Sequence, residues 1–347
     1  MVDADTIPPY PILSTGGRSS EIRVGNRLTD TGHSFIISDH EQSLRMEGFV
    51  IEVRDLSKRF GSVQAADGVS FDAPTGQVTG FLGANGAGKS TTLRMLVGLA
   101  RPDAGTALIS DRPYGALPSP RTEVGAVLEA RFHPGRTARN HLRVVATAAG
   151  IDHRRIDSVL DDVDLTADAD RRVGGYSMGM RQRLALAVAL LGDPAVLILD
   201  EPSNGLDPPG IAWLRDRMRD WAREGRTVLV SSHVLAEVAQ VVDRVVIIDR
   251  GRVVREGALD AIGPTTTAVR ARTPQAALLA DVARAAGWTA SPLGIDTVEI
   301  TGSSPADVGR VAAANGVELH ELSSITDSER LEAAFLELTG HRIEATS

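Results

Sequence analysis

The sequence predicts an α/β fold with a parallel sheet, followed by a small α+β domain. Strand-like and helix-like runs alternate from about residue 49 to 260, which is typical of a parallel sheet covered by helices. Within this region an apolar strand at 78–82 leads through a glycine-rich loop into a helix. A Gly/Pro/Thr-rich stretch at 257–266 then marks a linker, after which the alternation resumes. At roughly 100 to 200 residues per domain, 347 residues are enough for two domains.

Composition excludes several classes of protein. The chain has 37 Lys and Arg, 45 Asp and Glu, a net charge of −8 and no Cys, so disulfides, thiolate metal sites and cysteine nucleophiles are excluded. The acidic balance and scattered basic residues argue against nucleic-acid binding. The best apolar run, Leu184–Leu191, lies between Arg183 and Asp193 and is too short to span a bilayer. The N-terminus carries Asp3 and Asp5 instead of a basic cluster, so we expect a cytoplasmic protein without a secretory signal.

The sequence divides into three regions. Residues 1–48 lack a sustained hydrophobic period and predict a disordered extension. Residues 49–262 form the first domain, in which about 130–192 show no strand pattern and predict a helical insert. Residues 266–347 predict a small α+β domain.

The predicted elements alternate in type along both domains. The strands of the first domain are Val50–Arg54, Val69–Asp72, Val78–Leu82, Val124–Leu128, Ala195–Leu199, Thr227–Ser231 and Arg244–Ile248. Its helices include Lys89–Gly98, Ala138–Ala149, Met178–Leu191 and Pro208–Arg223. The second domain reads strand, helix, strand, helix, strand, helix over Ala268–Arg272, Pro274–Ala286, Thr297–Ile300, Pro305–Asn315, Val317–Leu322 and Ser328–Thr339.

The glycine-rich loop has the pattern of a phosphate-binding loop. It reads Gly83-Ala84-Asn85-Gly86-Ala87-Gly88-Lys89-Ser90. Glycines allow backbone N–H groups to turn towards a phosphate, and the N-terminus of the following helix adds partial positive charge. The pattern assigns the Lys89 ammonium to the β- and γ-phosphates and the Ser90 hydroxyl to Mg²⁺. Only Lys58 and Lys89 are lysine among the 37 basic residues, so a lysine retained here indicates a specific chemical need.

Two carboxylates end a second apolar strand. Asp200 and Glu201 follow the run 195–199, so a parallel sheet would deliver them at its carboxyl edge, where such folds bind ligands. There Asp200 can hold Mg²⁺ through water, and Glu201 can orient or deprotonate an attacking water. An apolar strand followed by acidic residues is common in other proteins. Together with Lys89, however, the pair becomes a strong indication of a site for phosphate and Mg²⁺.

A third motif, at the start of the predicted helix 178–191, completes the resemblance to a known family. It reads Tyr176-Ser177-Met178-Gly179-Met180-Arg181-Gln182-Arg183. Ser177 can be a simple helix cap, but Ser177 and the Gly179 amide can also form an anion site. With the two preceding motifs, the sequence resembles the ATP-binding-cassette (ABC) ATPases, whose signature is Ser-Gly-Gly-Gln. Met178 and Met180 are departures that are familiar from the exporter branch resembling daunorubicin- and bacitracin-resistance ATPases.

The resemblance, which covers about 49–260, implies roles for further residues. Phe60 matches the aromatic that stacks on adenine, and Glu129 stands where most members have a Gln that contacts Mg²⁺ and water. Asp207 matches the loop through which two subunits communicate, although it could equally be a helix cap. His233 matches the residue that senses the γ-phosphate. By resemblance, the ATP-binding set is Phe60, Gly83, Asn85, Gly86, Ala87, Gly88, Lys89, Ser90 and Thr91; the catalytic set is Glu201, His233, Glu129 and Lys89; and the Mg²⁺ set is Ser90, Glu129 and Asp200.

The same resemblance implies a mechanism and partners. Two cassettes would close head to tail on ATP, with Ser177, Gly179 and Met180 of one facing the phosphate loop of the other, and hydrolysis at Glu201 would reopen them. Because this chain has one cassette, we expect a homodimer or a pairing with a close relative. A separate multi-spanning permease would dock near residues 129–140 and hold the subunit on the inner face of the membrane. Export of a drug or antibiotic is the expected process.

Two other classes remain to be compared. A soluble ABC protein acting on ribosomes or DNA usually has two cassettes with a charged linker, long coiled coils or zinc sites, none of which this sequence shows. A GTPase would need an Asn-Lys-x-Asp motif, and neither Lys58 nor Lys89 lies in one. The ATPase subunit of an exporter is therefore the leading hypothesis.

Overall fold

The computed structural model describes residues 49–262 and 268–340, all within one compact unit, Leu44–Ser347. The extension at 1–48 that we predict to be disordered lies outside the described residues. Within the described ranges, no helix has the length and apolar character needed to cross a bilayer.

A six-stranded sheet forms the centre of the first region. Its strands are β3 (Val78–Leu82), β5 (Val124–Val127), β6 (Val196–Asp200), β7 (Thr227–Ser232), β8 (Arg244–Asp249) and β9 (Arg252–Ala258). They lie in the order β5-β6-β7-β3-β8-β9, with β9 antiparallel to β8 and the other neighbours parallel. The parallel strands are almost wholly buried, as expected for a sheet covered on both faces. The predicted α/β class is confirmed.

A second, antiparallel sheet stands beside it and was not predicted as a separate layer. It consists of β1 (Phe49–Phe60), β2 (Val63–Pro74) and β4 (Ala104–Ile109) in the order β2-β1-β4. Helix α1 (Lys89–Leu96) shares a core with both sheets, to which it contributes the fully buried Leu93 and Leu96. The rings of Phe71 and Phe81 stack at 5.0 Å and join the two sheets.

The stretch between β5 and β6 is helical. Following the short helix α2 (Pro120–Glu123) and β5, it contains α3 (Ala138–Ala149), α4 (Arg155–Asp162) and α5 (Met178–Leu190). After β6 come α6 (Pro208–Arg223) and the four-residue α7 (Leu235–Val238). Buried apolar side chains of these helices, such as Leu142, Leu160 and Leu184, pack in one cluster with the sheet.

The C-terminal region has a four-stranded antiparallel sheet. Its elements are β10 (Ala268–Arg272), α8 (Ala276–Ala285), β11 (Thr289–Pro292), β12 (Thr297–Thr301), α9 (Pro305–Ala314), β13 (Glu321–Ser324) and α10 (Asp327–Thr339). The strand order is β11-β12-β10-β13, and apolar residues of α8 and α9 pack with the sheet in a cluster of their own. Helix α10 packs elsewhere, since Leu331 and Phe335 belong to the core cluster of the first region.

Several predicted boundaries are wrong for identifiable reasons. Strand β9 occupies part of the predicted linker at 257–266; it is an edge strand with exposed charged residues, which hides its pattern. The strand predicted at 317–322 lies instead at Glu321–Ser324, where only two of four residues are partly buried. Strand β11 is also exposed at three of its four residues and was missed.

Candidate functional site

The glycine-rich loop connects the central strand β3 to α1, as the sequence predicts. Gly86 and Gly88 have left-handed backbones, with φ of +82° and +105°. A Cβ on Gly88 would lie 2.2 Å from the carbonyl oxygen of Ala65, so close packing as well as conformation requires glycine there. At Gly86, by contrast, a Cβ would meet no atom within 4 Å. The loop therefore leaves open space beside its backbone at Gly86.

Lys89 lies in the first turn of α1 and points its side chain back to the loop. The residue is only 5% exposed. Its Nζ donates to the carbonyl oxygens of Gly83 at 2.6 Å and Ala84 at 3.3 Å. It also lies 3.2 Å from Glu201 Oε1, which is buried and accepts no well-aligned hydrogen bond from any residue that the structure describes. A buried ammonium with a carboxylate beside it is an arrangement in which an incoming phosphate can replace the carboxylate.

The two carboxylates lie at the carboxyl edge of β6. Asp200 ends the strand, and Glu201 follows with a left-handed backbone at φ of +48°. Sequence reasoning missed Ser231, a buried residue of β7 whose hydroxyl donates to Asp200 Oδ1 at 2.5 Å and accepts the Glu201 N–H at 3.0 Å. The only available signal was its position at the end of an apolar strand.

His233 contacts the second carboxylate oxygen of Glu201. Its Nδ1 lies 2.8 Å from Glu201 Oε2, so the ring N–H can donate to the carboxylate. The structure therefore brings three of the predicted residues together: Lys89 and His233 contact opposite oxygens of Glu201. These two contacts fix the orientation of the Glu201 carboxylate.

Glu129 occupies a different environment. It follows β5, and its side chain is 43% exposed. One carboxylate oxygen lies 2.7 Å from Arg94 of α1, and the other 3.0 Å from Arg131. The Arg94 ion pair is not visible in the sequence pattern, because Arg94 lies 35 residues from Glu129. In the described part of the protein, no ion pair joins Glu129 to the cluster of Lys89, Glu201 and His233.

The signature motif packs against the Asp207 loop of the same chain. Ser177 caps α5 and accepts the N–H of Met180 at 3.1 Å. A Cβ on Gly179 would lie 3.1 Å from the carbonyl oxygen of Gly205, and Asp207 caps α6 by accepting the N–H of Gly210 at 3.0 Å. Among the described residues, no hydrogen bond joins Ser177 or Gly179 to the phosphate loop.

Tyr176 anchors this motif from the preceding position. The residue is buried, and its hydroxyl donates to the carbonyl oxygen of Asp168 at 2.6 Å. Burial raises the pKa of the Tyr176 hydroxyl, so it remains a neutral donor at physiological pH. The exposed Ser177 and Met178 follow directly.

Phe60 stands at the end of β1, in a hairpin beside the phosphate loop. It pairs with Val63 of β2, and the Ala65 carbonyl that contacts Gly88 lies two residues further on. The Phe60 side chain is 53% exposed. An exposed aromatic ring near a phosphate loop suits stacking on a nucleobase.

This combination of a parallel sheet, a phosphate loop and a paired Asp and Glu at the adjacent strand end defines a phosphate-loop ATPase. Comparison with known proteins is more specific: a sequence model of the ABC transporter family matches residues 66–204. A second model, of a domain of unknown function (DUF8746), matches residues 267–342.

Individual relatives show the family. The bacitracin transport ATP-binding protein BcrA of Bacillus licheniformis is 40% identical over 211 residues, which are 60% of this chain and 69% of the relative. The Nod factor export ATP-binding protein I of Burkholderia lata is 39% identical over 218 residues, 61% of this chain and 72% of that one. The chain belongs to the ABC transporter ATP-binding proteins, the family that hydrolyses ATP in transport. The resemblance inferred from the motifs is confirmed.

Solved structures agree. The ATP-binding subunit of an ABC transporter superposes with a TM-score of 0.56 at 28% identity, covering 75% of this chain and 98% of that one. CbiO1 from Clostridium perfringens, part of the ABC transporter complex cbiONQ, gives 0.54 at 26% identity and covers 61% and 89%. The ATPase activity expected from the sequence is therefore that of an ABC transporter subunit.

Proposed function

We propose that ATP binds at the phosphate loop and is hydrolysed with Glu201 as the general base. The observation that carries this assignment is the contact of Glu201 with both Lys89, at 3.2 Å, and His233, at 2.8 Å. When ATP binds, the Lys89 ammonium would leave the Glu201 carboxylate and contact the β- and γ-phosphates. The Glu201 carboxylate would then orient water towards the γ-phosphorus. His233 would hold the Glu201 carboxylate in place and would sense the γ-phosphate.

Mg²⁺ fits the residues that the motifs assign to it. Mg²⁺ prefers oxygen ligands and keeps several waters, so it needs few protein groups besides the phosphates. The Asp200 carboxylate and the Ser90 hydroxyl supply oxygens, and Asp200 is oriented by Ser231. Glu129 would join them only by leaving Arg94. When bound, the ion would neutralise charge on the phosphates.

Two copies are proposed to close on ATP. Ser177, Gly179 and Met180 would face the phosphate loop of the second copy. The Asp207 loop would transmit structural changes between the two ATP sites. Support comes from the exposure of Ser177 and from the close packing of Gly179 on Gly205, which connects the signature directly to the Asp207 loop. The proposed cassette spans 49–262, with its helical part at about 130–192, and the C-terminal domain spans 266–347.

The substitution Glu201→Gln tests this assignment. We expect the variant to bind ATP, to dimerise with it and to hydrolyse it at least about a hundredfold more slowly, because the amide cannot take a proton. Lys89→Ala should lose ATP binding instead. A Glu201→Gln variant that turned over ATP at the wild-type rate would refute the general-base role.

We further propose a multi-spanning membrane permease as partner, which would hold the subunit peripherally at the cytoplasmic face. The predicted docking segment 129–140 leads from β5 into α3, and these two elements, with part of α5, also line a mainly apolar groove of about 380 Å³. Val144, Ala148 and Val188 line it, and Arg121 supplies one charge. These residues suit a short amphipathic helix with an acidic residue at one end.

Affinity purification tests the partner. Tagged Glu201→Gln would be isolated from its native host in mild detergent with ATP, and the bound proteins identified by mass spectrometry. We expect one multi-spanning protein at near-equal stoichiometry; ribosomes or DNA would instead support the soluble alternative. Val144→Glu should lose the permease, whereas Val254→Glu, at a valine exposed to a similar degree on β9, should keep it.

Export of a drug or antibiotic is the proposed process. Support comes from the names of the relatives, one a bacitracin transport protein and the other a Nod factor export protein. A host carrying only Glu201→Gln should become more susceptible to the exported compound than the wild type across an antibiotic panel. Unchanged susceptibility to every compound would argue against drug export while leaving the ATPase assignment intact.

A further inference from the structure

Lys58 is the one lysine that the phosphate loop does not explain. It stands in β1 two residues before Phe60, at an irregularity in the pairing of β1 with β2. Its Nζ lies 5.5 Å from the centroid of the Phe60 ring, within the range of a cation–π contact. The Lys58 side chain is only 17% exposed, so the ammonium is partly shielded from water.

Asp103 fixes this lysine and the backbone around it. One carboxylate oxygen accepts from Lys58 Nζ at 2.8 Å, and the other accepts the N–H of Arg59, also at 2.8 Å. The N–H of Asp103 itself donates to the carbonyl oxygen of Ser57 at 2.9 Å. The Lys58 hydrogen bond, followed by that of Arg59, holds the pKa of Asp103 below its usual range. Asp103 therefore binds three consecutive residues just before Phe60.

This attachment matters because the Phe60 ring has an exposed position. Phe60 lies at the tip of the β1–β2 hairpin, next to the turn at Gly61, and more than half of it is exposed. An exposed aromatic side chain samples several rotamers unless a contact selects one. Lys58 provides such a contact, and Asp103 holds Lys58 in place.

We propose that Lys58 and Asp103 are positioning residues for nucleobase recognition, which hold the Phe60 ring ready to stack on the base of the nucleotide. The proposal rests on the proposed function, in which Phe60 is the base platform. Lys58 and Asp103 then contribute to affinity for the base and not to affinity for the triphosphate, which Lys89 and the loop bind.

The geometry also explains why lysine occurs here in a chain that otherwise uses arginine. A guanidinium pairs best with both oxygens of a carboxylate at once. At Asp103 one of the two oxygens already accepts the Arg59 N–H, which makes a bidentate pairing less favourable. A compact ammonium needs only one oxygen and can still lie beside the ring.

Two ligands separate base recognition from phosphate binding. Calorimetry on the full chain would compare Mg-ATP with Mg-tripolyphosphate, which has no base. We expect Lys58→Met and Asp103→Asn to weaken ATP binding about two- to fivefold, the size of an exposed cation–π contact, and to leave tripolyphosphate binding unchanged. Lys58→Arg should fall between Lys58→Met and the wild type.

A double-mutant comparison tests whether Lys58 acts through Phe60. Phe60→Ala alone should weaken ATP binding about tenfold or more, and adding Lys58→Met to it should cause no further loss. Equal losses for both ligands, unchanged ATP affinity in Lys58→Met, or a full additional loss in the double variant would each overturn the positioning role. Lys89→Ala tests the site itself: if it left both affinities intact, the proposed ATP site would be wrong, whatever Lys58 does.

Discussion

The Ser231 hydroxyl donates to Asp200 Oδ1 at 2.5 Å and so ties the carboxylate that ends β6 to the neighbouring strand β7. The Ser231 hydroxyl oxygen also accepts the N–H of Glu201 at 3.0 Å. Glu201 has a backbone φ of +48°, which is strained for a residue with a side chain. One hydroxyl thus holds both acidic residues, including the strained one, in register with the phosphate loop.

Ser231→Ala should therefore slow hydrolysis more than it weakens binding. It leaves the Glu201 N–H without its acceptor, a loss of about 1–3 kcal/mol for a buried group, and frees both carboxylates to shift. We expect kcat to fall about tenfold or more, with the ATP dissociation constant within about twofold of the wild type. Steady-state ATPase assays and calorimetry measure the two.

Thr227→Val is the matched control for that substitution. Thr227 is also a buried hydroxyl residue of β7, but it accepts the N–H of Gly76 at 3.3 Å at the opposite end of the strand. It should cost stability and leave kcat largely unchanged. If both variants lost activity equally, Ser231 would be important only for folding.

Gly205 and Gly225 permit a second matched comparison. Both have a left-handed backbone, with φ of +82° and +91°. A Cβ at Gly205 would lie 2.3 Å from Met178 Cε at the start of the signature helix, whereas a Cβ at Gly225 would meet nothing within 4 Å. Both alanine variants should lose about 1 kcal/mol or more of stability from backbone strain.

Only Gly205→Ala should also affect the ATP-driven dimer, because only it displaces the signature. Each alanine substitution would be combined with Glu201→Gln, and light scattering would measure how much dimer each variant forms when ATP is added. Equal dimerisation by the two variants would contradict a link between the Gly205 loop and the signature.

The parts of this site that the sequence predicted are those whose chemistry is local. Gly83–Lys89 and the pair Asp200 and Glu201 are consecutive residues at the ends of strongly apolar strands, so their pattern and their function coincide. Ser231 could not be assigned a role, because its contact depends on the pairing of β6 with β7 across 31 residues. The Arg94 partner of Glu129 was unpredictable for the same reason.

The helices and strands also divide into those that local sequence predicts and those that it does not. Helices α3 and α6 begin and end at the predicted residues, and in the structure Thr137 and Asp207 cap them. Strands β9 and β11 were missed because edge strands face solvent and lack a buried alternating face. The separate sheet of β1, β2 and β4 depends on long-range antiparallel pairing, which hydrophobic period alone does not reveal.

Helix α10 should depend on two apolar residues that pack into the core of the first region. Phe335 is 6% exposed and Leu331 is fully buried, in one cluster with Leu235 and Val238 of α7. Phe335→Ala should cost about 3–5 kcal/mol. Urea unfolding would measure this loss and limited proteolysis would detect release of α10. Leu338→Ala, at a residue 39% exposed on the same helix, should change little; similar losses in both would show that α10 is not held by this packing.

His141 should make stability depend on pH. Its ring packs edge-on against Phe132 at 4.9 Å, and its buried Nδ1 has no hydrogen-bond partner within 49–262 and 268–340. Burial, with a smaller effect of Arg136, lowers the pKa of His141 below its usual value of about 6.5. As pH falls below about 6.5, the unfolded chain takes up a proton more readily than the folded one, so stability decreases until the lowered pKa is passed. His141→Leu should remove this part of the slope and keep the contact with Phe132. Thermal unfolding of both proteins from about pH 7 to about pH 5 measures it, and parallel curves would show that His141 contributes nothing to the pH dependence.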